Sequence, residues 1–167
     1  ASPTRGIIAG GSSPAMSPFK TKLIEFVTIA TLGNAVNFGN LTTRGDQIGV
    51  NSAFGVSNGT RGVIAGGATE PNNEGISNVI DFINIASTGD ATDFGDLSVG
   101  RGQGASMSNK IRGVFGRGES GVSPRAQTNV IDFVNIATTG NATDFGDSTE
   151  AKYAGGGGSD SHGGISE

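Results

Sequence analysis

Apolar positions along this chain fall in short runs closed by glycine or by clusters of Ser, Asn and Thr, and the runs return in the same order three times. The first run of each set follows an Arg-Gly pair: Arg5-Gly6-Ile7-Ile8-Ala9-Gly10-Gly11, Arg61-Gly62-Val63-Ile64-Ala65-Gly66-Gly67 and Arg112-Gly113-Val114-Phe115-Gly116-Arg117-Gly118. Such a run predicts a strand, here called b. The second run, strand c, covers about 23–30, 79–86 and 130–137. Its apolar residues lie on both faces, with Ile80 and Phe82 on one side and Val79, Ile83 and Ile85 on the other, as in a strand sandwiched between two layers.

A turn at Gly33-Asn34, Gly89-Asp90 or Gly140-Asn141 is expected to reverse the chain into strand d, which carries Phe38, Phe94 or Phe145. A fourth strand, a, is placed at about 49–56, 102–107 and 153–158. Between b and c lie polar segments, 12–22, 68–78 and 119–129, that differ completely from copy to copy. Their Pro, Ser and Asn content predicts loops.

The repeat makes the whole chain, 1–167, one repeat domain with units at about 5–60, 61–111 and 112–162. Arg5 to Arg61 is 56 residues and Arg61 to Arg112 is 51, the first unit carrying about five extra residues after Phe38. Gly163-Gly164-Ile165 falls where a further strand b would start. The chain therefore opens at strand b and closes with a strand a that is expected to complete a blade with another segment.

Composition narrows the functional classes. Thirty glycines with abundant Thr, Ser, Asn, Val and Ile favour strands and tight turns. The formal charge is −4 and the 11 Lys and Arg are scattered, so no basic stripe invites nucleic acid. No apolar run reaches the ~18–20 residues that span a bilayer, and the N-terminus lacks a signal-peptide pattern, so membrane insertion is not expected. Without cysteine there is neither a disulfide framework nor a thiolate metal site.

The Gly-Gly strand, the variable loop, the N-V-I-D-F-x-N strand, the aromatic in strand d and the period near 50 together resemble kelch-type β-propeller blades, with Phe where kelch blades commonly place Trp. The IATTGNATDFGD wording is similar to repeats of uncharacterised virion or tail-fibre-associated proteins of marine and cyanobacterial phages. The resemblance covers essentially the whole chain. It implies an all-β fold of three four-stranded blades, completed by another chain or a longer chain, because three blades do not close a propeller. A β-trefoil or prism with threefold symmetry, closing on its own, is the alternative fold, and a stacked solenoid is a third.

Candidate chemistry is thin. One His (His162), one Tyr (Tyr153) and no Cys leave no catalytic set, and Gly116-Arg117-Gly118-Glu119-Ser120-Gly121 matches GxGxxG without a following helix to hold a phosphate. No enzyme activity and no cofactor are expected. Arg5, Arg61 and Arg112 recur once per unit, as do Glu25, Asp81 and Asp132 on the neighbouring strand. A carboxylate on an apolar strand needs a partner, so structural Arg-carboxylate pairs are expected.

Asp90, Asp93 and Asp96, matched by Asn141, Asp144 and Asp147 and by Asn34, Asn37 and Asn40, form a weak calcium candidate whose simpler reading is local turn capping. The binding residues expected from the variable b-to-c loops are Phe19, Lys20, Glu70, Asn72, Asn73, Glu74, Arg125 and Gln127. The chain then reads as a non-enzymatic phage virion module on a tail fibre or capsid surface, with a host-surface glycan, another virion protein or a second copy of itself as partner. A free lectin-like domain and an extracellular filament subunit are the alternatives, and a virion or extracellular location goes with each.

Overall fold

The computed structural model of the protein describes residues 2–12, 20–42, 49–69, 75–121 and 124–158, and these form an all-β structure of separate antiparallel sheets. In chain order the strands are β1 (Arg5–Ala9), β2 (Leu23–Thr28), β3 (Val36–Asn40), β4 (Val50–Asn51), β5 (Phe54–Ser57), β6 (Arg61–Ala65), β7 (Ala68–Thr69) and β8 (Gly75–Ile76). They continue as β9 (Val79–Asn84), β10 (Thr92–Asp96), β11 (Arg101–Gly102), β12 (Ala105–Ser108), β13 (Arg112–Ser120), β14 (Ala126–Asn135) and β15 (Thr143–Asp147). The second sheet is a meander in the order β5-β6-β9-β10, its strand a coming from the preceding unit, so that the sheet carries the a-b-c-d sequence that the hydrophobic runs predict. The third sheet repeats it as β12-β13-β14-β15 with β11 beside β13, and the first, among the described residues, holds β1-β2-β3. A small sheet, β4-β7-β8, bridges the first two units.

Strand a is shorter than its apolar run suggests. Residues 50–51 and 101–102 belong to separate short strands, and the chain then kinks at Ser52 and Gln103, both left-handed at φ 58°. A non-glycine residue pays strain there, which explains why the pattern read as continuous. Residues 153–158 form no strand: they repeat the kink at Ala154 (φ 55°) and run beside β12, Ala154 N–H donating to the Gln103 carbonyl.

The Gly-Asn/Asp pair does not turn the c-to-d hairpin either. In the second and third units the reversal is made just after strand c, where Asn84 and Asn135 side chains accept from the Ala86 and Ala137 N–H groups. The pair itself is extended backbone laid along the previous unit's strand d: Gly89 and Ala91 donate to the Phe38 and Asn40 carbonyls, and Gly140 and Ala142 to those of Phe94 and Asp96.

The core sits between units. Ile24, Phe38, Leu41 and Val50 of the first unit meet Ile64 and Ile83 of the second; Val63, Ile80, Phe94 and Leu97 of the second meet Val134 and Ile136 of the third. Strand c is apolar on both faces because each face closes a different joint. Phe94 is the extra residue of a bulge between Asp93 and Gly95, which throws its ring onto the joint, and the same bulge recurs around Phe38 and Phe145.

Candidate functional site

The recurring polar residues come together at the joints, and their geometry follows from strand register. Arg61 pairs across with Asn84 and Ile64 with Asp81. Since side chains alternate, Arg61 shares a face with Phe82 while Asp81 points to the opposite face. The expected Arg-carboxylate pairs of Arg5, Arg61 and Arg112 with Glu25, Asp81 and Asp132 are therefore not formed. Each arginine instead lies over a phenylalanine of strand c: Arg5 over Phe26 at 4.5 Å, Arg61 over Phe82 at 4.3 Å and Arg112 over Phe133 at 4.8 Å from the ring centroid. Each of those rings meets the strand d phenylalanine edge-on. Two of the arginines also reach into the next unit, Arg5 Nη1 donating to the Ile85 carbonyl (2.9 Å) and Arg61 Nη1 to that of Ile136 (3.1 Å).

The carboxylates, facing the other way, hold the previous unit. Asp81 accepts from the Thr42 N–H and hydroxyl, and Asp132 from the Ser98 N–H (3.0 Å) and hydroxyl (2.7 Å). Asp132 also takes Nη2 of Arg101 at 2.9 Å, in an ion pair with both side chains fully buried. Arg101 Nη2 donates to the Phe115 carbonyl as well, whereas its Nε and Nη1 have no partner among the described residues. Burial pushes the Arg101 guanidinium below its usual pKa against the opposing pull of Asp132. Arg101 was invisible as a functional position because the first unit carries Val50, and the third the exposed Lys152, at the same place in the repeat.

The Asp-rich tail is also structural. Asp90 Oδ1 accepts the Asn40 N–H at 2.8 Å and Asn141 Oδ1 the Asp96 N–H at 3.0 Å, so this position staples strand d of one unit to the next. Asp93 and Asp144 accept the Gly95 and Gly146 N–H groups inside the bulge. No cluster of three or more metal-ligating side chains occurs among the described residues. Because each of these capping positions needs an oxygen and not a charge, Asn and Asp interchange along the copies.

Of the loop residues expected to bind, Phe19, Glu70, Asn72, Asn73 and Glu74 lie outside the described residues, as does His162. Lys20 is not an open contact: it is 2% exposed and its Nζ donates to the Thr69 carbonyl at 2.9 Å, tying the first unit to the small sheet. Arg125 pairs with Glu119 at 3.3 Å, and Glu119 in turn accepts from Gln103 Nε2 at 2.9 Å, while Gln127 is exposed. Arg125, Glu119, Gln103 and Gln127 thus make a polar patch at one end of the third sheet, where β13 and β14 extend beyond their counterparts.

A groove of about 380 Å³ is lined by Ile7 and Ala9 of β1, by β5, β6, Ile83 and β12, and by Gly157 and Gly158. Among the described residues β1 pairs with β2 alone, and the first sheet holds no a-type strand. No helix among the described residues is long and apolar enough to cross a membrane. No protein-family model matches the chain, and no curated protein matches its sequence.

Proposed function

We propose that the protein is a non-enzymatic scaffold of kelch-like propeller blades that displays unlike loops for surface recognition, on a phage tail fibre or capsid surface, with a host glycan or another virion protein as the target. The observation that carries this reading is a division of labour. Recurring residues hold the joints between units, Arg61 over Phe82 and Asp132 on Ser98 and Arg101, whereas the 119–129 segment, which has no counterpart in the other copies, carries the Arg125-Glu119 pair beside the exposed Gln127. Sheets in a-b-c-d order that pack face to face in sequence are what successive blades require.

Polar, partly rigid patches such as Arg125-Glu119-Gln103 suit hydrogen-bonding to saccharide hydroxyls or a polar protein surface. Mass spectrometry of purified particles tests the setting, and a glycan array tests the ligand. Arg125→Ala with Gln127→Ala should weaken any retained glycan roughly tenfold or more while leaving the melting temperature in place. Retention of full binding by that variant would remove the third-unit patch from the reading.

A further inference from the structure

The two internal joints use one set of contacts, and among the described residues the outer faces of the first and third units each present half of that set unused. On the third unit the strand d ring, Phe145, is 55% exposed, where Phe38 and Phe94 are 3% exposed. Gly39 and Gly95 are pressed by the next unit's backbone, so that a Cβ would stand 2.1 and 2.5 Å from Gly89 and Gly140 atoms; at Gly146 nothing lies within 4 Å. On the first unit Ile29 is 57% exposed, whereas its counterparts Ile85 and Ile136 are buried at 1% and 0%. Both outer faces keep the apolar residues of a joint.

We infer that these faces bind each other, the third unit of one copy docking head-to-tail on the first unit of a second copy. The polar positions match as the apolar ones do. Thr149 follows strand d as Thr42 and Ser98 do, and Glu25 stands where Asp81 and Asp132 receive those groups. Lys152 occupies the place of Arg101, so the buried Arg101–Asp132 pair becomes Lys152 with Glu25 of the second copy. Asn34 stands where Asp90 and Asn141 cap the previous strand d, ready for the Asp147 N–H.

The same superposition of units places residues 156–158 along the free edge of β1, continuing the a-to-b pairing of Phe54 with Ala65 and Ala105 with Gly116; Gly156 would then face Ala9. There the segment of one copy enters the 380 Å³ groove beside Ile7 and Ala9 of the second copy, whose far side is lined by the second copy's own Gly157 and Gly158, and a run of glycines leaves room for the close approach. The interface uses two unlike surfaces, so it closes into a ring or propagates as a filament according to the rotation between units. It does not depend on any ligand of the loops.

The test is a mixing experiment with the 167-residue chain, read by light-scattering mass. Wild type is expected to give species at multiples of 16.6 kDa that dissociate on dilution. Ile29→Arg blocks one face and Phe145→Arg the other; both sites are more than half exposed, so each variant should fold, verified by circular dichroism, and be monomeric alone. Mixed, the two should form a dimer and nothing larger, because one intact face of each kind remains. Lys152→Glu should likewise dissociate the assembly and Lys152→Glu with Glu25→Lys restore it. A wild type that stays monomeric at its highest soluble concentration overturns the inference. So does an assembly that either single variant leaves intact, or a mixture that stays monomeric.

Discussion

Phe38, Phe94 and Phe145 occupy one position of the repeat, share one bulge and pack edge-on to equivalent rings at 6.2, 6.0 and 5.9 Å, yet they are 3%, 3% and 55% exposed. Truncating them therefore measures a joint against its absence. Phe94→Ala removes a ring enclosed by Leu97, Val134 and Ile136 and leaves a cavity between units, a loss of about 3–5 kcal/mol. Phe145→Ala opens no enclosed cavity. It forfeits under half of the ~1.5–3 kcal/mol for burying a ring, together with an edge contact of ~0.5–1.5 kcal/mol, for a total of roughly 1–3 kcal/mol. At about 2–4 °C per kcal/mol for a chain of this size, the shifts are roughly 6–20 °C and 2–12 °C. Thermal melts followed by circular dichroism at high dilution, where copies are separate, give both values. Equal shifts for Phe94→Ala and Phe145→Ala in dilute solution would show that strand d does not hold one unit to the next.

Three further outcomes follow from the joints. Asp132→Asn leaves the buried Arg101 charge uncompensated and should lower stability in urea by about 3–5 kcal/mol, whereas Arg101→Met combined with Asp132→Leu should recover most of that loss, since Arg101 already buries two unpaired nitrogens. Gly95→Ala should destabilise more than Gly146→Ala: both carry positive φ, but only the first adds a Cβ 2.5 Å from Gly140 backbone, and differential melting reads the gap. Addition of a chelator should leave the melting temperature unchanged, because Asp90 and Asp93 already accept backbone N–H groups; a drop would make the Asp-rich tail a cation site.

The order of strands within a unit was legible because glycine and the paired apolar faces of strand c punctuate it plainly. Register was not. The pairing of Arg61 with Asn84 decides that Arg61 lies over Phe82 and that Asp81 faces away, and a shift of one residue would reverse both. Nothing in the composition of the two strands fixes that shift. The Gly89-Asp90 pair misled for a related reason: its propensity for a hairpin is local, while its place along strand d of the previous unit is tertiary, and the backbone bonds to Phe38 and Asn40 outweigh the turn. Arg101 escaped notice because its partner sits in another unit and its own position is not repeated as arginine in the other copies. The half-buried Arg125 and the exposed Gln127 stand out by the opposite signal, the failure of a segment to repeat.

One joint chemistry used both within and between chains has a quantitative consequence. Inside the chain the units are tethered, and a short linker holds them at an effective concentration on the order of 1 mM. If the untethered joint had a dissociation constant of about 10 μM, the tethered ones would be closed about 100 to 1, while separate copies at about 1 μM would be mostly apart. The internal joints thus survive conditions that dissolve the external one. The external joint also carries weaker chemistry, Lys152 with Glu25 in place of the fully buried Arg101–Asp132 pair, and a glycine strand that brings no side chains to the groove. Lysine at that site is a flexible point charge with no guanidinium fork, so it contributes less geometric definition than Arg101 does. Lys152→Arg should accordingly tighten the assembly, shifting dissociation to lower concentration without moving the melting temperature of the dilute chain; a variant that assembles no more tightly would place Lys152 outside the joint.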